Sequence, residues 1–179
     1  MPHPSLDPRS NYDSLQRLIA SCQTFLDWPE EKLFAVNEDV SGWSIAKHMH
    51  HLAKAHGAIP RLIERLQTGR LGEEGLKGRP EMLNLIYEGI IIRGRQSPEM
   101  SAPADDLTYE TLAKDFGRMT KATQRIEPLL DELHTFTYSF PHLYYGPLNA
   151  LEWLRFMGMH TRHHLGIMRE IELVGMQAI

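Results

Sequence analysis

The sequence predicts an all-α protein, an up-and-down four-helix bundle with a long, lid-like connection between its second and third long helices. Three observations lead there. Four long segments carry apolar residues at helical spacing, the stretches between them are rich in Gly, Pro or aromatic residues, and no series of alternating strand-like runs is present. The chain has 179 residues, 42% hydrophobic and 23% charged, which suits a single domain over 1–179 with a real core.

Residues 1–9 hold three prolines and read as a flexible lead-in. The first helix should run from about Ser10 to Asp27, burying Tyr12, Leu15, Leu18, Ile19, Cys22 and Leu26. It must stop near Trp28, because Pro29 disfavours helical geometry in the residue before it. The second helix should run from Ser44 to about Thr68, opened by a cap at Ser41 or Ser44, with Ile45, Met49, Leu52, Ile59, Ile63 and Leu66 as its apolar stripe. Pro60 lies inside that pattern and predicts a kink or a break. Residues 69–80 hold four Gly and one Pro and read as a loop. Glu81–Arg93 reads as a short helix, although Tyr87–Gly94 also has strand-like composition. A third long helix is expected from a Thr108 cap to about His134, burying Leu112, Phe116, Met119, Thr123, Ile126 and Leu130, with a distortion at Pro128. Residues 136–147 read as an aromatic connector. The last helix should start around Leu148, where Asn149 and Glu152 have the spacing of a capping box. The 70–107 stretch is long for a bundle connection and is expected to cover one mouth of the bundle.

Bulk properties narrow the function. A net charge of −4 with no basic run gives nucleic-acid binding little electrostatic support. No apolar run reaches the roughly 18 residues that span a bilayer, and the N-terminus lacks a signal-peptide core, so a cytoplasmic protein is expected. Cys22 is the only cysteine, which excludes an internal disulfide.

Histidine is the compositional oddity. Seven of the ten His lie in two windows, His48–His56 and His160–His164. On the last helix Trp153, Met157, His160, His164, Ile167 and Ile171 form a stripe roughly 60° wide. Two imidazoles at i and i+4 thus sit in an apolar, core-facing surface, where they need a partner. A metal ion is one candidate, since this spacing lets two rings reach one ion; hydrogen-bonded core histidines are the other. If the second helix faces the last, one of its histidines completes a three-His site, the open arrangement of catalytic zinc. Imidazole also suits nickel, iron and copper, and the sequence does not choose among them. On the helical wheel His48 and His56 lie within or beside the apolar stripe, His51 at its margin, and His50 points away. His134 reads as surface, and Trp43 and Trp153 as core anchors.

The stretches GWSIAKHMHHLAKAH and HLYYGPLNALEWLRFMGMHTRHHLGI resemble the DinB/YfiT-like superfamily of four-helix-bundle metalloproteins. In that family a Trp-Ser at a helix start is followed, eight residues after the Trp, by a ligand His, which here is His51 counted from Trp43. The closing H-x-x-H-H pattern implies His160 and His164 as the other ligands. The family's turn before the last helix is approximated by His142, Tyr145, Gly146, Pro147 and Leu148. Ile167 stands where the family often has a polar residue, so a role for that residue is lost. The resemblance implies a divalent-metal-dependent enzyme acting on a small molecule, such as a thiol S-transferase using bacillithiol, mycothiol or glutathione. The metal implied is zinc or nickel ahead of iron. It also implies homodimerisation, and it leaves two alternatives: a non-catalytic, stress-related metal-binding bundle, and a metal-dependent hydrolase. An ion held by three neutral imidazoles keeps its charge and acidifies a thiol or water beside it. Cys22 is distant from the motif, so the thiol must come from outside. His48, His142, His163 and Glu88 are the candidates for moving a proton.

Overall fold

The computed structural model describes residues 3–91 and 96–177, with side chains to 174. Helix α1 spans Pro8–Gln23, and a 3-10 turn continues it over Thr24–Asp27 before Pro29 ends it. It starts earlier than the prolines suggested. Asp7 caps it by accepting the Ser10 N–H at 2.8 Å, and Pro8 occupies the first turn, where no N–H is needed. The lead-in is therefore not free in its described part: Pro4–Leu6 form a 3-10 turn and Leu6 is buried. Residues 1 and 2 lie outside the described residues.

A one-turn helix α2 (Glu30–Leu33) leads to α3 (Ile45–His56) and α4 (Ile59–Gln67). Their junction at Gly57–Ala58 is the break anticipated from Pro60, which sits in the first turn of α4. In the next stretch Glu73–Glu74 form β1, and α5 spans Pro80–Glu88, ending where Gly89 turns left-handed at φ 74°. The expected short helix is thus present; residues 92–93 of its expected span lie outside the described residues. Helix α6 (Tyr109–Thr123) is shorter than the anticipated Thr108–His134 rod. Beyond Thr123 the chain tightens into 3-10 turns over Gln124–Leu129, which contains Pro128, and Leu133–Thr135. The aromatic connector is in fact two strands, β2 (Tyr138–His142) and β3 (Gly146–Leu148), and with β1 they make a small antiparallel sheet in the order β1-β2-β3. Helix α7 (Ala150–Gln177) follows.

The expected four-helix bundle is present, with α1, α3–α4, α6 and α7 as its members. α1 packs on α7, and α3 packs on both α6 and α7. Cross-helix bonds fix the directions. Asn11–Arg155 and Ser14–Arg162 rise together, so α1 and α7 are parallel. His50–Asp115 and Glu64–Arg125 do the same for α3–α4 and α6. His48–His164 and His56–His160 run opposite ways, so α3 and α7 are antiparallel. The chain therefore goes up, down, down, up rather than in strict alternation. That explains the long second connection: parallel neighbours require the chain to travel back along the bundle before the next helix begins.

The connection is tied down along its way. Arg155 donates to the Ile86 and Tyr87 carbonyls, Tyr145 Oη to the Ile90 carbonyl and Tyr144 Oη to the Gln96 carbonyl. Lys54 Nζ donates to the Ala102 carbonyl at 2.6 Å. Among the described residues no helix is long and apolar enough to cross a membrane.

Candidate metal centre

The two histidine windows meet because the helices bearing them are started in the right places. α3 begins at Ser44, whose hydroxyl accepts the Lys47 N–H at 3.3 Å. α7 begins at the anticipated capping box: Asn149 Oδ1 accepts the Glu152 N–H at 3.0 Å, and Glu152 Oε2 accepts the Asn149 N–H at 2.9 Å. Antiparallel packing then sets His48 against His164, His51 against His160 and His164, and His56 against His160.

The inner nitrogens converge. His51 Nε2 and His160 Nε2 are 3.2 Å apart, and His160 Nε2 and His164 Nε2 are 3.1 Å apart. A ligand atom from each of the three rings lies within 4.8 Å of the others. A tetrahedral zinc with bonds of about 2.0–2.1 Å holds its nitrogens roughly 3.3 Å apart, so the spacing fits such an ion. The outer nitrogens are all engaged. His51 Nδ1–H donates to the Ser101 carbonyl at 2.8 Å, with Ser97 Oγ at 3.2 Å. His164 Nδ1 lies 2.9 Å from His48 Nδ1, and His160 Nδ1 lies 3.0 Å from His56 Nε2. A carbonyl can only accept, so the proton of neutral His51 sits on Nδ1 and its Nε2 lone pair faces the centre.

Burial keeps these rings uncharged. It lowers the His51, His160 and His164 imidazoles below their usual range, and neighbouring histidines lower His160 and His164 further. His48 is pushed down to about 4 and His56 to about 3, in both cases chiefly by burial. Neutral imidazoles are the form that ligates metal. The walls are aromatic: the Trp43 ring centre is 5.3 Å from that of His51, and Phe156 stacks on His160 at 5.1 Å with planes 16° apart. His51 and His164 are buried and His160 is half-buried.

The other anticipated residues fall as follows. His48 abuts the cluster, hydrogen-bonded to His164 and to Ser41 Oγ. His163 is half-buried with its ring beside His164. His142 is not in the cluster but one ring behind it, its ring centre 4.4 Å from that of Phe156, which stacks on His160. Its Nδ1 accepts the Tyr144 and Tyr145 N–H groups at 3.1 and 3.4 Å. Glu88 is exposed at the last position of α5. His50 does not point away into solvent. It is buried where α6 packs on α3, between the Ala104 N–H at 3.2 Å and Asp115 at 3.5 Å. Trp43 lines the site as a half-buried wall rather than serving only as a core anchor.

Three contributors escaped the sequence reading. Ser101 acts through a backbone carbonyl, which no side chain announces. Phe156 stands four residues before His160, so its place on the same face was legible. His56 was picked out as buried, but its hydrogen bond to His160 was not. Two open clefts, of about 600 and 570 Å³, lie away from the cluster and share Arg61 and Arg125. They gather basic side chains, among them Arg65, Arg70, Arg118 and Lys121, that no basic run in the sequence revealed.

Three imidazoles gathered around one point by the second and fourth members of a helical bundle could hold a divalent ion between facing helices. The chain is a member of the DinB superfamily, whose sequence profile matches residues 11–168. No curated protein matches it in sequence. Among solved structures it is similar to YfiT from Bacillus subtilis, described as a probable metal-dependent hydrolase with an unusual four-helix bundle topology. That likeness has 17% identity and a TM-score of 0.59, and covers 92% of this chain and 85% of the other. At that identity it speaks for the fold.

Proposed function

We propose that the protein is a divalent-metal-dependent enzyme, with His51, His160 and His164 as ligands, that activates an external low-molecular-weight thiol for transfer to a small electrophilic substrate. The observation that carries this is the convergence of three Nε2 atoms whose rings are neutral and held at their other nitrogen. Zinc or nickel is the first choice of ion and iron the next. When bound, the ion supplies a positive charge that the three imidazoles do not cancel, which acidifies a thiol or water placed beside it.

The chain's own residues do the rest. Burial holds the ligand rings unprotonated, the Ser101 carbonyl orients His51, and Trp43 and Phe156 exclude bulk water from two sides of the cluster. Cys22 is buried, with its thiol pushed up to about 12, so the nucleophilic sulfur comes from outside. Glutathione, bacillithiol and mycothiol all offer one. Among the described residues, none of the hydrogen-bond partners of the three rings is a carboxylate. A thiol starts from a much lower pKa than water, so the same ion deprotonates it more completely without a separate base, which favours a thiol over water. Hydrolysis is the second reading, favoured by the likeness to YfiT as it is described. Homodimerisation stays part of the proposal, and light scattering on the purified chain tests it.

The test is elemental analysis of the purified protein, followed by assays of the metal-loaded form. An electrophilic reporter is offered with glutathione, bacillithiol or mycothiol, and ester and amide reporters without thiol. Bound metal with thiol-dependent turnover supports the transferase; thiol-independent turnover supports the hydrolase. Bound metal with neither leaves a non-catalytic metal-binding bundle. A protein that takes up neither zinc nor nickel overturns the proposal.

A further inference from the structure

We propose that His48 and His56 are positioning residues of the metal centre, each accepting the Nδ1–H of one α7 ligand so that its Nε2 lone pair faces the ion. This rests on the three-histidine reading above and extends it to five histidines with two different tasks. His51, His160 and His164 present Nε2 to one point, while His48 and His56 meet the α7 rings from behind, at 2.9 Å to His164 Nδ1 and 3.0 Å to His160 Nδ1. Both are buried.

Each pair admits two proton arrangements, and an ion selects one. With metal on His164 Nε2, its proton must be on Nδ1, so His48 accepts at Nδ1 and carries its own proton on Nε2. That Nε2–H then donates to Ser41 Oγ at 3.0 Å, which also accepts the Trp43 N–H at 3.1 Å. The chain of donors ends on the loop that starts α3. With metal on His160 Nε2, His56 must accept at Nε2 and keep its proton on Nδ1. That atom is buried and has no hydrogen-bond partner among the described residues. The isolated N–H is an uncomfortable form for His56, held only while His160 needs an acceptor. The ion's charge strengthens that bond by polarising the donating ring. Proton position on α3 and metal occupancy on α7 are therefore linked.

The two acceptors use different ring atoms, which gives a stereochemical test. An Asn carbonyl reaches about where a His Nδ1 stands, and a Gln carbonyl about where Nε2 stands. His48→Asn and His56→Gln should keep the affinity for zinc, measured by chelator competition, and the wild-type absorption spectrum of the cobalt(II)-loaded protein. The exchanged pair, His48→Gln and His56→Asn, and the Leu variants at both positions should lose about 10- to 100-fold in affinity, as removal of such outer hydrogen bonds does. Circular dichroism selects the variants that fold; if the Leu variants do not, the four amide variants decide. Equal affinity across the amide variants overturns the inference while leaving the three-His centre standing. A wild-type protein that takes up no metal, or a His51→Ala variant that binds as tightly as wild type, overturns both.

Discussion

At the scale of single residues, the site turns on which ring nitrogen points where. His51→Ala, His160→Ala and His164→Ala should each abolish stoichiometric metal binding, and His163→Ala should retain it; elemental analysis after dialysis checks all four. His142 offers a separate prediction about acid. Burial pushes it down to about 4 from an ordinary value near 6.5, and its Nδ1 accepts two backbone N–H groups in the turn between β2 and β3. As pH falls the unfolded chain takes up this proton first. The associated stability is therefore intact above pH 6.5 and is lost progressively toward pH 4, by at most about 3 kcal/mol. His142→Asn, whose carbonyl can accept in the same place without titrating, should flatten that part of a thermal-stability profile against pH. The helical wheel ranked His48 and His56 above His51 as buried, and all three are buried. Periodicity reports which face a residue is on, and cannot report which ring atom meets which neighbour.

At the scale of elements, caps and breakers were the most legible features. Ser44, Thr108 and the Asn149/Glu152 box open α3, α6 and α7, Pro29 follows the end of the first helical segment, and Pro128 lies where the third helix degrades into 3-10 turns. Asn149→Ala should destabilise the protein by about 1 kcal/mol, seen in urea denaturation, because the first-turn N–H of Glu152 loses its acceptor. The strands were not legible. β2 and β3 are five and three residues long and contain Pro141 and Pro147, and β1, the other partner of β2, lies far away in the chain. Their docking explains Gly72, at φ 87°, where an added Cβ would strike the Ser139 carbonyl. Gly72→Ala should cost more than Gly75→Ala, which has φ 70° but open space around it. Denaturant midpoints of the two variants measure that difference, and equal midpoints would mean that contact with β2 does not matter.

For the molecule as a whole, a ligand that binds only the folded state raises its stability by mass action. Zinc or nickel at about 100 times its dissociation constant should add about 2.7 kcal/mol, or roughly 5–10 °C in Tm for a domain this size, reversed by a chelator and absent in His51→Ala. A calorimetric scan with and without metal reads it directly. Much of the architecture was open to the sequence alone: four helical segments, their apolar faces, the break at Pro60, the capping box, and two histidine windows set apart from ordinary composition. These follow from local chemistry, in which turn propensities and periodicity act over a few residues. Only the tertiary structure decided the up, down, down, up order, the burial of His50 under α6, the Ser101 carbonyl behind His51, and the pairing of His48 and His56 with the two histidines of α7. Each depends on which helices become neighbours and at what register. That is settled by burying all the apolar faces at once, and no single stretch of chain contains it.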